Sequence, residues 1–307
     1  MSLSTLVGEP WADYGLVDSG GGRKLERYGR YSFIRPEPQA MWAPAAPDWD
    51  ADGEFVPGSD VEQARRAPGT TAGVRGTPAP AQGGGRWRFD RPVPAEGWDL
   101  AWEEVRFRAQ ATPFRHLAFF PDMAPQWAWM RERLGEGTEA LNLFGYTGVG
   151  TLAMAAKGAR LTHVDASKKS VEAGKANAAL SGMADKPIRW MVDDAAKFAA
   201  REVRRGRRYD GIVLDPPKFG RGPAGELWRL EEGLPGLIAD CARLLDADSR
   251  FLVLTVYAVR MSALAIGELL SQALAPLGGH VECGDMAVRE EARGLLLPTA
   301  IFARWSR

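Results

Sequence analysis

From residue 119 onward, apolar runs of strand length alternate with stretches of helical periodicity. Ala140–Phe144, Arg160–Val164, Ile188–Val192, Tyr209–Leu214 and Phe251–Tyr257 read as strands. Val149–Lys157, Lys168–Leu180, Ala195–Arg204, Glu226–Leu245 and Ser262–Leu274 read as helices, and Pro125–Leu134 as a helix ahead of them. Strands that are apolar throughout and separated by helices belong to a parallel sheet covered on both faces. The tail then reads strand, turn, strand over His280–Ala287 and Leu295–Ala303. Two strands with no helix between them predict an antiparallel hairpin that closes the sheet.

Residues 1–118 follow another pattern. They are rich in Trp, Arg, Gly and Pro and poor in helical periodicity, with short extended runs at Tyr14–Val17, Tyr31–Ile34, Arg86–Phe89, Leu100–Trp102 and Val105–Ala109. Turn signals such as Asp18-Ser19-Gly20-Gly21-Gly22 separate them. The pattern predicts a small β-rich domain over 1–118 ahead of an α/β domain over 119–307. Asp48–Gly85, heavy in Ala, Gly and Pro, is expected to be an irregular excursion between strands.

Composition narrows the picture further. The chain has 307 residues and a formal net charge of zero, so global charge gives no sign of a nucleic-acid partner. No apolar run is long enough for a membrane helix, and Met1-Ser2-Leu3-Ser4-Thr5 lacks the blocks of a signal peptide, so a cytoplasmic location is expected. Two cysteines, Cys241 and Cys283, form no disulfide framework, and three scattered histidines suggest no metal site.

In an open α/β sheet the ligand lies beyond the carboxyl ends of the strands, so the residues after each strand carry the chemistry. The first strand runs into Phe144-Gly145-Tyr146-Thr147-Gly148, where glycines allow a sharp turn and close approach to a ligand. The helix that follows offers backbone N–H groups to an anionic group. The second strand ends at Asp165, about 20 residues beyond the turn, where a carboxylate accepts from ribose hydroxyls. Ser167 is placed to cap the next helix. The third strand ends at Asp193 and Asp194, which suit an adenine amino group or a helix N-cap, one residue for each. The fourth ends in Asp215-Pro216-Pro217-Lys218-Phe219, where two prolines stiffen a rim of carbonyls beside one carboxylate.

These signals in order resemble class I S-adenosylmethionine-dependent methyltransferases. Asp215-Pro216-Pro217-Lys218-Phe219 with Phe144-Gly145-Tyr146-Thr147-Gly148 is similar to the bacterial large-subunit rRNA methyltransferases of the RlmI/RlmK type, over about Phe119–Tyr257. The resemblance implies a Rossmann-like class I methyltransferase sheet, mostly parallel with a closing antiparallel hairpin, and S-adenosyl-L-methionine as cofactor. It also implies an RNA substrate and a place for Asp122 near the cofactor. The family's thiol nucleophile for cytosine carbon-5 has no counterpart in Leu254-Thr255-Val256-Tyr257-Ala258.

A nitrogen acceptor is therefore expected, with Asp215, Pro216 and Pro217 accepting its N–H groups and Lys218 on a substrate phosphate or in solvent. Arg23, Lys24, Arg27, Arg30 and Arg35 are the cations expected to meet nucleic acid, whereas Arg201, Arg204, Arg205, Arg207 and Arg208 read as structural. Two readings compete: a methyltransferase for a protein or small molecule, and an NAD(P)-dependent oxidoreductase. The second predicts Gly-x-Gly-x-x-Gly, and this turn is spaced Gly-x-x-Gly-x-Gly.

Overall fold

The computed structural model describes residues 1–58, 84–257 and 260–307. The strands of the N-terminal part are β1 (Ser2–Gly8), β2 (Tyr14–Gly20), β3 (Arg23–Tyr28), β4 (Tyr31–Pro36), β5 (Gly53–Pro57), β6 (Gly85–Phe89), β7 (Trp98–Trp102) and β8 (Val105–Ala109). A 3-10 turn at Pro121–Met123 leads into α1 (Ala124–Arg131). There follow β9 (Glu139–Leu143), α2 (Val149–Ala155), β10 (Arg160–Asp165), α3 (Lys168–Leu180), β11 (Ile188–Val192), α4 (Ala195–Arg204) and β12 (Gly211–Leu214). The chain ends with β13 (Phe219–Arg221), β14 (Leu227–Arg229), α5 (Leu230–Arg243), β15 (Phe251–Tyr257), α6 (Ala263–Leu274), β16 (His280–Arg289) and β17 (Leu296–Ser306).

Eight strands form the main sheet in the order β1-β16-β17-β15-β12-β9-β10-β11. The five strands from β15 to β11 are mutually parallel, and β17 runs antiparallel to both β15 and β16. The expected parallel sheet with a closing hairpin is what forms. A second sheet of five strands, β2 to β6, and the β7–β8 pair make up the N-terminal part.

Three features differ from the sequence pattern. β1 pairs parallel to β16 at the edge of the main sheet, so residues 2–8 stand apart from the strands that follow them. A glycine permits this close approach: a Cβ on Gly284 would sit 1.7 Å from the Ser4 carbonyl oxygen. Within the expected excursion, Gly53–Pro57 is a strand paired antiparallel with Gly85–Phe89. Residues 59–83 of that excursion, and Ala258 after the fifth core strand, lie outside the described residues. Finally, the helix expected from Glu226 begins at Leu230, because β13 and β14 form a hairpin first. Gly222, Pro223 and Gly225 in its turn were the signal for it.

The N-terminal sheet is not packed as an independent body. Leu16, Phe33 and Phe107 share one buried cluster with Met130 of α1, Leu152 of α2 and Phe302 of β17. The opposite face of the main sheet is covered by α4, α5 and α6 through Phe198, Leu237 and Leu270.

Lys24 of β3 and Arg35 of β4 are turned inward, whereas Arg23 and Arg27 of β3 keep 51% and 32% of their side chains exposed. Arg35 is 7% and Glu26 1% exposed. Arg35 Nε donates to Glu26 Oε2 at 2.7 Å, its Nη2 to the Tyr28 hydroxyl at 2.6 Å and its Nη1 to the Arg115 carbonyl at 2.9 Å. The Tyr14 hydroxyl donates to Glu26 Oε1 at 2.8 Å, and Lys24 reaches Glu26 and Glu37. Burial would raise the Glu26 carboxyl, but Arg35 and Lys24 outweigh it and hold the group below its ordinary range. Arg23 pairs with Glu54, Arg27 bonds the Ala12 carbonyl and Glu291, and Arg30 lies over Tyr31. Of the cations expected to meet nucleic acid, Lys24 and Arg35 are therefore engaged within the fold, while Arg23, Arg27 and Arg30 remain partly or fully exposed. Arg201, Arg205 and Arg207 pair with Asp193, Glu202 and Glu139, in line with their structural reading.

Glu26→Ala is expected to cost about 3–5 kcal/mol, because it leaves Arg35 buried without its carboxylate. Glu172→Ala, which breaks the exposed pair with Lys175, is expected to cost less than about 0.5 kcal/mol. Urea denaturation of both variants checks the contrast.

Candidate active site

Beyond Leu143 the backbone turns sharply. Phe144 (φ 60°) and Tyr146 (φ 49°) are both left-handed, as is Gly148 (φ 81°). For non-glycine residues this conformation costs of order 1–3 kcal/mol each and persists only where surroundings impose it. The Tyr146 N–H donates to Asp165 Oδ2 at 2.9 Å. The Phe144 ring packs against Trp228 at 5.2 Å, and the Thr147 hydroxyl donates to the Ala118 carbonyl at 2.6 Å.

Packing beneath the turn also requires a glycine at Gly145. A Cβ there would lie 2.4 Å from Cε1 of His163. That ring is fully buried on β10 and contacts the Thr151 hydroxyl at 2.9 Å, which in turn accepts from Asn142 at 2.8 Å. Burial drives the His163 pKa down to about 3, so the ring stays neutral beneath the turn.

The acidic residues divide by place. Asp165 also accepts from the Ser167 N–H at 2.8 Å, yet burial raises its carboxyl above the ordinary range. Ser167 caps α3 by accepting from the Ser170 N–H at 3.2 Å, and Asp194 caps α4 by accepting from the Lys197 N–H at 2.9 Å. Asp193 accepts from the Asp194 N–H and is ion-paired with Arg201.

Asp215 follows β12, with Pro216 buried behind it. Its pKa is pushed up to about 8, by burial first and then by the carboxyls of Asp122 and Asp165. The rim of carbonyls is narrower than the sequence implied. The Pro217 carbonyl accepts from Trp228 Nε1 at 2.8 Å, and the Lys218 carbonyl from the Leu230 N–H at 3.0 Å.

A cleft of about 550 Å³ opens at these strand ends. Phe144, Tyr146, Asp165, Ser167, Asp194, Asp215, Pro216, Pro217 and Lys218 all line it. A smaller cavity of about 50 Å³ beneath the turn is lined by Gly145, Thr147 and Gly148 and shares Phe120, Phe144, Tyr146 and Asp215 with the cleft. Asp193 lines neither. Asp122 lies on a third cavity of about 60 Å³ towards the N-terminal sheet.

Sequence reasoning missed Phe120 and Tyr257. Phe120 borders all three cavities, and Tyr257 borders the cleft and the third cavity. Their rings pack at 5.3 Å. Tyr257 ends the fifth parallel strand, so the rule that strand ends carry the site would have found it. Asp122 Oδ2 and Tyr257 Oη are buried without a hydrogen-bond partner among the described residues. Neither cysteine approaches the cleft: Cys241 of α5 and Cys283 of β16 are fully buried, and burial raises both thiols.

The raised Asp215 carboxyl makes a stability prediction. Unfolded, it loses its proton near pH 4, whereas folded it keeps the proton to about pH 8. Its contribution therefore favours the folded chain at acid pH and weakens as pH rises through that window. Asp215→Asn removes this dependence. The Tm of the variant relative to the parent is expected to climb between about pH 5 and about pH 8 and then level off, as read by thermal melts across pH.

A family model described as S-adenosylmethionine-dependent methyltransferase matches residues 82–253, more than half of the chain. Among solved structures, the SAM-dependent methyltransferase from Agrobacterium tumefaciens is 39% identical, with a TM-score of 0.88, covering 99% of this chain and 95% of that one. SMU.776, solved with SAH bound, shares the fold alone, at 16% identity and a TM-score of 0.64 over 96% of this chain and 75% of that one. The ribosomal RNA large subunit methyltransferase I of Shewanella amazonensis is 36% identical over 91 residues, 29% of this chain. That match spans only 23% of the curated relative's length.

The cleft suits the cofactor these matches share. Carboxylates at Asp165 and Asp194 are acceptors fit for ribose hydroxyls and an adenine amine, among the apolar faces of Phe144 and Trp228. Burial raises the Asp165 and Asp215 carboxyls, and a cation placed between them would favour their ionised forms. The oxidoreductase alternative falls with this match, and the chain belongs to the S-adenosylmethionine-dependent methyltransferases.

Proposed function

We propose that this chain methylates RNA, ribosomal RNA in particular, at a nitrogen of a base rather than at cytosine carbon-5. The observation that carries the reading is Asp215: a desolvated carboxyl on a proline-stiffened rim, bordering both the cleft and the cavity beneath the glycine turn. Asp165, Ser167 and Asp194 hold the nucleoside of S-adenosyl-L-methionine, and Phe144, Gly145, Tyr146, Thr147 and Gly148 shape the space for its amino-acid end. Asp193 supports this wall through Arg201, and Asp122 stands behind Asp215, where it raises the latter's pKa.

The cofactor supplies an already activated methyl group. The chain's own task is to aim an acceptor lone pair along the bond to be broken, and positioning alone accounts for a large rate effect. An exocyclic amine donates its N–H groups to Asp215 and the Pro216 carbonyl, which turns its lone pair toward the cofactor. Asp215 beside a sulfonium favours its ionised form, and the carboxylate then takes up the proton the amine releases. Lys218 borders the cleft and is placed for a phosphate of the same nucleotide. Attack through a ring carbon needs a thiol adduct, and both cysteines sit in the core away from this rim. The likeness to the ribosomal RNA large subunit methyltransferase I of Shewanella amazonensis supports RNA as acceptor, and an enzyme with this acceptor works in the cytoplasm. Among the described residues no helix is long and apolar enough to cross a membrane.

The test uses rRNA from cells lacking the gene, purified protein and isotopically labelled S-adenosylmethionine, with nucleoside mass spectrometry of the product. Label in an N-methylated nucleoside of that RNA, absent with rRNA from parent cells, is the expected result. Asp215→Ala should lower turnover at least about a hundredfold. Label at carbon-5, or in protein with none in RNA, overturns the reading.

A further inference from the structure

The β13–β14 hairpin continues directly from the Asp215-Pro216-Pro217 rim and has two unlike faces. The inner face is anchored. Trp228 is buried, its Nε1 donating to the Pro217 carbonyl at 2.8 Å and its ring against Phe144 at 5.2 Å. Gly220 lies over Pro217, where a Cβ would come within 3.3 Å of the proline ring.

The outer face is open. Register pairs Phe219 with Arg229 and Arg221 with Leu227. Alternation along a strand sends all four side chains to the side opposite Gly220 and Trp228. Phe219 is 58% and Leu227 61% exposed. The Lys218 ammonium stands 5.7 Å from the Phe219 ring centroid. Arg229 shares an exposed ion pair with Glu232 at 3.1 Å, weak enough for another anion to displace. Glu226, in the turn, is neutralised by Lys197.

Two large apolar side chains exposed beside guanidinium groups on an anchored ribbon form a candidate contact surface. A ring for stacking, with an aliphatic side chain beside it and cations for phosphates, is what an unpaired nucleic-acid strand requires, and bases in a duplex offer no free face. We propose that the outer face of this hairpin docks a single-stranded segment of the RNA acceptor next to the nucleotide to be methylated. Bases rest on Phe219 and Leu227, and phosphates meet Arg221 and Arg229. The anchoring through Trp228 and Pro217 then sets the distance from the docked strand to Asp215. This inference rests on the RNA reading above.

The experiment is fluorescence anisotropy with a fluorescein-labelled single-stranded oligoribonucleotide, in the presence of S-adenosylhomocysteine. The full chain is compared with Phe219→Ser/Leu227→Ser and with Arg229→Ala. The double variant should bind about tenfold more weakly. Arg229→Ala should lower the salt dependence by about one phosphate contact. Calorimetry should give both variants the parent's affinity for S-adenosylhomocysteine, which separates a lost surface from a damaged fold. If the parent binds the strand and both variants bind it equally well, the hairpin is not the docking site and the RNA reading stands. A parent that binds no RNA overturns both. A duplex of the same sequence bound as tightly as the single strand overturns the stacking account.

Discussion

The architecture turns on one reversal of strand order. From β9 the chain builds outward through β10 and β11, then returns across β9 to add β12 and β15 on the other side. Parallel crossovers are right-handed, so building in opposite directions places the helices on opposite faces. Val149 and Leu152 of α2 and Ala178 of α3 join one buried cluster, and the core residues of α4 and α5 join the other. The connections after β9 and β12 therefore part from each other, and the gap between them is where the glycine turn and Asp215 meet.

That gap is electrostatically unusual. Asp122, Asp165 and Asp215 lie close enough that two of them raise the third, and burial raises all three. Carboxyls in this state are poised for a cation or for N–H donors. The N-terminal sheet behind the gap behaves in the opposite way. There Glu26, Glu37, Lys24 and Arg35 neutralise one another, and Arg35 also holds the Arg115 carbonyl in the segment that borders the cleft. The sheet fastens the wall of the site from the inside through Lys24 and Arg35.

Much of this was legible in sequence because it is periodic. The core strands and most helices showed in apolar runs and their spacing, and the acidic residues at strand ends followed from the architecture. Other features were not local in sequence. The pairing of β1 with β16 joins residues about 280 apart, and no local pattern records it. Lys24 and Arg35 in the basic run of β3 and β4 looked like surface residues because charge alone does not show which side of a strand is covered. The left-handed conformations of Phe144 and Tyr146 fall on residues whose side chains give no sign of them. The β13–β14 hairpin was legible through Gly222, Pro223 and Gly225, but the polar residues near Glu226 also suited a helix start.

The central claim is that the cofactor lies across the reversal, between Asp165 and Asp215. A crystal structure of the S-adenosylhomocysteine complex measures it directly. The account predicts ribose hydroxyls on Asp165, the adenine near Asp194, and the sulfur facing Asp215 over the Phe144–Gly148 turn. A nucleoside bound elsewhere, or oriented with its sulfur away from Asp215, would contradict it.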